Sequence, residues 1–383
     1  MTPEVIILFS IIISLSYHVI VYIQTKSNFN KDKNRRREIL NEKLPVKLPF
    51  VSILKPIKGI DDGLEENIKS FLEIDYPEYE IIFGFHSEHD PALPIIEKIV
   101  KQHPEVITKI IVDSSEIGLN PKINNLNNIY PFSLGDLILV SDSNTRANKN
   151  LLHEMVAEIL DDDVGLVSAS IRGTGAKNTF ALMENIHLNS FISGIIQSAN
   201  SVAGIQITVG KAILIKRKVL EMIGGFSVFK FYLAEDHLMG LEIKRQGYKV
   251  LPSTVIIDTI NENWSLQKFI NRHRRWNLMR ANIDLKFYIL EFLTYTSTLS
   301  LILYLVNPTL IPISIASVFL KISIDYLTTR IIISNFKWYH FIHIPVKDII
   351  MAILWFLPFL YNKISWRENR LKVLRNSQLM PVS

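Results

Sequence analysis

The chain contains no cysteine, which excludes disulfides and thiolate metal sites and leaves the redox compartment undetermined. It also lacks internal repeats and low-complexity linkers, so its 383 residues form one large domain or two. Net charge is weak, at +5, and says less than where the charges fall. Residues 5–23 hold no Lys, Arg, Asp or Glu, and such a run approaches the roughly 20 residues needed to cross a hydrocarbon core. No basic segment precedes it and no small-residue cleavage site follows, so a transmembrane anchor is expected rather than a cleaved signal peptide.

What is abundant fits that anchor. Hydrophobic residues make up 48% of the chain and mean hydropathy is +0.21. A basic cluster, Lys31-Asp-Lys33-Asn-Arg35-Arg-Arg37, follows the anchor. Beside an apolar span it reads as juxtamembrane, not as a nucleic-acid site, and it places that side in the cytosol. The amino terminus then lies outside.

From residue 50 to about 252, strand-length apolar runs alternate with amphipathic helical stretches, the pattern of an α/β domain with a largely parallel sheet. Strands are expected at 50–54, 80–85, 109–112, 137–141, 165–169 and 212–215. Helices are expected at 63–72, 93–102, 121–129, 149–160, 177–193 and 233–246. After Trp264 come a basic helix (266–280) and three apolar stretches, 287–306, 310–334 and 344–361. The middle stretch carries Lys321 and Asp325, which share a helix face at four-residue spacing and can pair away from lipid. Three further crossings would put the carboxyl terminus outside, whereas Arg367, Arg370, Lys372 and Arg375 argue for the cytosol. One of the three is therefore expected to be interfacial or re-entrant. The expected divisions are an anchor (1–24), a basic linker (25–47), a cytosolic α/β domain (48–282), membrane or interfacial helices (283–363) and a basic tail (364–383).

Six clusters can carry chemistry. Asp136-Leu-Ile-Leu-Val-Ser-Asp142-Ser-Asn144 is a buried-strand pattern ending in an acidic turn, where open α/β sheets bind ligands and where a carboxylate can take a hard divalent cation. An ordinary Asx turn would look the same. Lys55-Pro-Ile-Lys58-Gly59 and His86-Ser-Glu88-His89-Asp90-Pro91 close the first two strands. Gly118-Leu-Asn120-Pro121-Lys122-Ile-Asn124-Asn125-Leu126 sets Asn at N-cap, Pro at N1 and Lys in the first turn of a helix. A cation there opposes the helix dipole, so an anionic ligand explains it better than intrinsic stability. Ala234-Glu235-Asp236-His237 opens a helix, where carboxylates complement the dipole on structural grounds alone. Arg272-His273-Arg274-Arg275-Trp276 sets Arg272 on one face with Arg275 and Trp276, suited to a diphosphate and a stacking surface, or to anionic headgroups.

Taken in order, KPIKG at Lys55, the turn ending Asp90-Pro91-Ala92, GLNPKINNL at Gly118, SDSN at Ser141, AEDH at Ala234 and RHRRW at Arg272 make the chain resemble the ceramide glucosyltransferase family from Val51 to Arg370. Asp325-Tyr326 and Ile364-Ser365-Trp366-Arg367 add to the likeness. The resemblance implies a GT-A domain (a nucleotide-diphospho-sugar transferase with a Rossmann-like mixed sheet) flanked by transmembrane helices. It implies an inverting transfer of one hexose, glucose from UDP-glucose, to a lipid hydroxyl at a bilayer. By the same likeness Asp90 contacts the nucleotide, with Glu88 as a rival, and Asp142 holds Mg2+ or Mn2+. Lys122 and Lys55 serve the donor, Asp236 is the general base, and Arg272, Arg275 and Trp276 lie over the diphosphate and acceptor. Asn144 stands where relatives often have Gly, and residues 192–203 match poorly, leaving the acceptor as ceramide or another lipid. A prokaryotic cell membrane is favoured over the Golgi on the Ile- and Lys-rich composition. Competing readings are a processive polysaccharide synthase, a polyprenyl-phosphate glycosyltransferase and a catalytically silent membrane adaptor.

Overall fold

The computed structural model describes residues 1–42, 47–366 and 369–382. Two compact units divide the chain. One comprises residues 28–175 and 199–262 and is built on a sheet; the other comprises 1–27, 176–198 and 263–383 and is mainly helical.

The sheet unit contains β1 (Val51–Pro56), β2 (Tyr79–Phe85), β3 (Ile107–Val112), β4 (Leu137–Ser141), β5 (Thr145–Arg146), β6 (Val164–Thr174), β7 (Ala212–Lys216) and β8 (Lys249–Ile260). Their spatial order is β3-β2-β1-β4-β7-β6-β8-β5. Successive side chains of a strand point to opposite faces, and here both faces are covered. Ile53, Ile81, Phe83 and Leu139 enter one core with the helices Leu64–Leu72, Leu93–Val100 and Leu151–Ile159. Leu54, Ile82, Ile138 and Val140 enter the other with Pro121–Ile129, Arg217–Met222 and Glu235–Arg245. Two buried faces explain why these strands read as continuous apolar runs.

All six expected strands form. β8 and the two-residue β5 were not anticipated. Pro252 made the twelve residues of β8 read as a boundary, since proline removes a ladder donor. In the structure it sits at an irregularity of the β6/β8 pairing, where the register shifts between Ser168 and Ser170. The bulge accommodates it.

Direction decides where the site lies. β1 runs parallel to β2 and β4, and β2 parallel to β3, so the carboxyl ends of four strands share one edge. β7 runs antiparallel to β4, with Ser141 opposite Ala212. The residues just before β7 are thereby brought to the edge where β4 ends.

Pro3–Asn34 (within the helix Pro3–Glu42), Pro308–Ile332 and Trp338–Leu360 are long and apolar enough to cross a membrane. The expected stretch 287–306 is instead two helical segments, Leu285–Thr294 and Thr296–Val306, bent by 65°. Lys321 Nζ donates to both Asp325 oxygens at 2.7 and 2.6 Å, and both residues are buried, as the spacing predicted. Tyr288 and Trp355 stack and exchange hydrogen bonds of 2.8 Å, each side chain donating to the other's carbonyl. The expected helix 177–193 divides into Thr179–Ile186, a π-helical segment His187–Ile192 and a continuing helix Ser193–Ala203. The basic helix Leu266–Ile283 falls in the helical unit rather than in the sheet unit. Beyond it, the expected basic tail contains three antiparallel strands, Lys363–Trp366, Asn369–Val373 and Leu379–Pro381. Arg367, named in the sequence motif, lies outside the described residues.

Candidate active site

The turn after β4 is held from beneath. Lys55, fully buried at the end of β1, donates to the Asp142 carbonyl at 3.0 Å and lies 3.5 Å from the Phe71 ring centroid. Burial lowers its pKa to about 7 although Asp142 opposes the shift. Thr145 Oγ1 also donates to the Asp142 carbonyl, at 2.7 Å, and Ser143 Oγ donates to Asp61. With its backbone fixed, the Asp142 side chain points to groups from two other segments.

Those groups are ammoniums. Lys122 Nζ lies 2.9 Å from Asp142 Oδ1, and Lys211 Nζ lies 2.8 Å from Asp142 Oδ2. Burial alone would raise the Asp142 carboxyl, but Lys122 and Lys211 together hold it well below the usual carboxylate range. Lys122 also reaches Glu235 Oε1 at 3.3 Å and the Gly210 carbonyl at 3.2 Å. Burial opposes its charge, and Asp142, Glu235 and Asp236 outweigh burial, raising it above the ordinary lysine value.

The helix that carries Lys122 is capped as expected: Asn120 Oδ1 accepts from the amides of Lys122 and Ile123 at 2.9 and 3.1 Å. Its packing on β2 is close, because Asn125 Nδ2 donates to the Gly84 carbonyl at 2.8 Å and a Cβ at Gly84 would fall 1.9 Å from Asn125 Oδ1.

Asp236 is anchored in the first turn of Glu235–Arg245. Its Oδ2 accepts from the Gly210 amide at 2.6 Å and its Oδ1 from the His237 amide at 2.8 Å. A Cβ at Gly210 would meet Lys122 Nζ at 2.9 Å and Asp236 Oδ2 at 3.0 Å, so glycine permits this convergence. The neighbouring Glu235 is buried and accepts from Asn120 Nδ2 at 3.2 Å. Burial pushes its carboxyl up to about 7, against the pull of Lys122.

Asp90 joins two turns. Both its oxygens accept from the Gly59 amide, at 3.1 and 2.9 Å, and Oδ1 also accepts from the Ala92 amide at 2.9 Å. It ties the turn after β1 to the turn after β2, while Glu88 is exposed.

The structure thus brings Lys55, Lys122, Asp142 and Asp236 together and adds Lys211, Glu235 and Gly210, to which the sequence reading gave no role. Lys211 had one usable signal, a basic residue after glycine and directly before a buried apolar strand. Glu235 was passed over for its neighbour.

Arg272, Arg275 and Trp276 belong to the helical unit. The Arg272 guanidinium lies over the rings of Trp276 and Trp264, at 4.4 and 5.2 Å. Its Nε stands 3.0 Å from Oε1 of the fully buried Glu184, an ion-pair contact off the axis of a hydrogen bond. His273 Nε2 pairs with the other Glu184 oxygen at 2.8 Å.

No group of three or more His, Asp or Glu side chains able to hold a metal is found among the described residues. Asp142 Oδ2 and Asn144 Oδ1 nevertheless share one cation, since Lys211 Nζ lies 2.8 Å from each. Two protein oxygens around a stand-in ammonium fit an ion whose remaining ligands come from water and substrate phosphate, the usual state of Mg2+.

Comparison with known proteins places these residues in context. The family model described as glycosyl transferase family 21 matches residues 7–379. Ceramide glucosyltransferase 3 of Caenorhabditis elegans is 29% identical over 351 residues, covering 87% of this chain and 75% of the relative. The ceramide glucosyltransferase of Komagataella phaffii is 31% identical over 137 residues, covering 35% of this chain and 27% of the relative. Among solved structures, a mannosyltransferase from Pyrobaculum calidifontis in complex with GDP-Man and Mn2+ aligns with a TM-score of 0.48 and 16% identity, covering 88% of this chain and 97% of that one. The expected α/β architecture with a Rossmann-like mixed sheet is the sheet unit described above. Both relatives are eukaryotic, which does not favour the expectation of a prokaryotic membrane.

Proposed function

Because the chain belongs to glycosyl transferase family 21 and is a glycosyltransferase, we propose that it moves a single glucose from UDP-glucose to the hydroxyl of a ceramide-class membrane lipid, with inversion. The observation that carries this reading is the convergence of Lys122 and Lys211 on the Asp142 turn at the carboxyl edge of the sheet, with Asp236 held beside them on the Gly210 amide. Ammonium groups at 2.8–2.9 Å from a partly exposed carboxylate are placed to exchange that partner for diphosphate oxygens.

The reaction is displacement at the anomeric carbon. Asp236 accepts the proton of the lipid hydroxyl as the C–O bond forms, and the bond to the diphosphate breaks with its electron pair leaving on oxygen. Lys122 and Lys211 stabilise the charge that grows there. A divalent cation, Mg2+ or Mn2+, held by Asp142 and Asn144 would supply further neutralisation of that diphosphate. Lys55 and Asp90 keep the surrounding turns in place, and Asp90 contacts the nucleotide. Arg272, Arg275 and Trp276 serve the diphosphate and acceptor. Residues 192–203 are assigned to the acceptor; the side chains of 200–203 lie outside the described residues.

The 65° bend at Tyr295 supports a reading in which one of the apolar stretches is re-entrant. If Leu285–Val306 turns back without crossing, Pro308–Ile332 and Trp338–Leu360 leave and return, and Arg370, Lys372 and Arg375 stay on the cytosolic side.

The test is mass spectrometry of ceramide, diacylglycerol and polyprenyl phosphate after incubation with the full-length protein and UDP-glucose. One hexose on ceramide supports the reading. A ladder of hexoses, an acid-labile phosphate ester or no consumption of donor contradicts it.

A further inference from the structure

Lys211 occupies a position that the donor-site chemistry must vacate. Its Nζ lies 2.8 Å from Asp142 Oδ2 and 2.8 Å from Asn144 Oδ1, between the two side-chain oxygens that the turn after β4 offers a cation. The other Asp142 oxygen is taken by Lys122 at 2.9 Å, so both carboxylate oxygens are engaged by ammonium. The Lys211 backbone is pinned, its carbonyl accepting from Ser141 Oγ at 3.1 Å and its amide bonded to the Val209 carbonyl at 2.9 Å. Movement at this position therefore belongs to the side chain, which has four rotatable bonds and a mobile ammonium.

An ammonium and a divalent ion cannot share one pair of oxygens, because like charges at such separations repel strongly. The metal's arrival must displace Lys211, and the anion that arrives with the metal is the donor's diphosphate. We propose that Lys211 holds the cation position closed in the donor-free protein and passes its ammonium to the diphosphate when metal and nucleotide enter together. Metal and nucleotide then bind interdependently, and Lys211 is a diphosphate ligand as well as a guard. This inference rests on the donor-site reading above.

The test uses purified full-length protein and reads binding alone: free Mn2+ by electron paramagnetic resonance, with and without UDP, and UDP affinity by calorimetry at saturating Mn2+. Wild-type protein should bind Mn2+ about tenfold more tightly when UDP is present, within the usual range of coupling between sites. Lys211→Met should bind Mn2+ without UDP about tenfold more tightly than wild type, and should bind UDP with Mn2+ about tenfold more weakly. Lys211→Gln provides the same comparison if the methionine variant does not fold. Equal Mn2+ affinity of variant and wild type in the absence of UDP overturns the inference, as does an unchanged UDP affinity. Wild-type protein that binds neither UDP nor Mn2+ is a different failure: it overturns the donor site itself.

Discussion

Both units bury charge, and two of their charged clusters differ in how partners are shared. Along the helices of the helical unit, charges are closed into private pairs near in sequence, Lys321 with Asp325, Lys347 with Asp348 at 3.2 Å, and Arg280 with Glu291 at 2.9 Å, although Glu184 in the same unit serves both Arg272 and His273. Around the Asp142 turn of the sheet unit the partners are far apart in sequence and shared. Asp142 serves Lys122 and Lys211, and Lys122 serves Asp142, Glu235 and the Gly210 carbonyl. A private pair can only be made or broken. A shared set can exchange partners without leaving any member unpaired, which is what a site for an incoming diphosphate requires.

The contrast can be broken first at the base. Asp236→Asn keeps the shape and hydrogen-bonding reach of the side chain but cannot take up the hydroxyl proton. Lipid glycosylation should fall by about 10²–10⁴-fold, while UDP binding in the presence of Mn2+ stays near wild type. Initial rates and a nucleotide titration on the same preparation check both halves. Substantial turnover by this variant would remove Asp236 from the base role.

In the helical unit the expected effect is on stability. Lys321→Ala leaves Asp325 buried without its partner, and breaking such a pair costs about 3–5 kcal/mol. The double variant Lys321→Met, Asp325→Leu removes both charges at similar volume and should lie close to wild type, since a well-packed apolar replacement of a buried pair is often neutral. Denaturation in detergent separates the two. Equal loss in single and double variants would mean that the pair has a role beyond cancelling itself.

A pH-dependent effect concerns Lys55, whose pKa falls from 10.5 to about 7 on folding. The folded state gives up this proton more readily than the unfolded chain, so the Lys55 contribution to stability rises with pH from about 7 to about 10. Melting temperatures across that range should be flatter for Lys55→Met than for wild type. A parallel pair of curves would show that Lys55 keeps its proton beneath the turn.

Much of this was legible in the sequence for identifiable reasons. The six anticipated strands announced themselves as apolar runs because both sheet faces are covered, and Asn120-Pro121 announced a helix start because capping is local. Asp142 could be placed at a strand's end by the same local logic. Lys211 could not, because its partnership with Asp142 depends on β7 running antiparallel to β4, a property of topology that spacing does not encode. β8 was missed because the penalty for Pro252 is relieved by a bulge formed with a distant strand. The break at Tyr295 was hidden for a similar reason: hydropathy measures whether a segment is apolar, and a bent pair of helices is as apolar as a straight one.

The central claim is that the Asp142 turn holds the diphosphate of a nucleotide sugar together with a divalent cation. Calorimetric titration of UDP into the full-length protein and its Asp142→Ala variant, each with and without Mn2+, tests it most directly. Wild-type protein should bind UDP in a Mn2+-dependent manner, and the variant should lose that dependence. Unchanged Mn2+-dependent binding by Asp142→Ala would contradict the account.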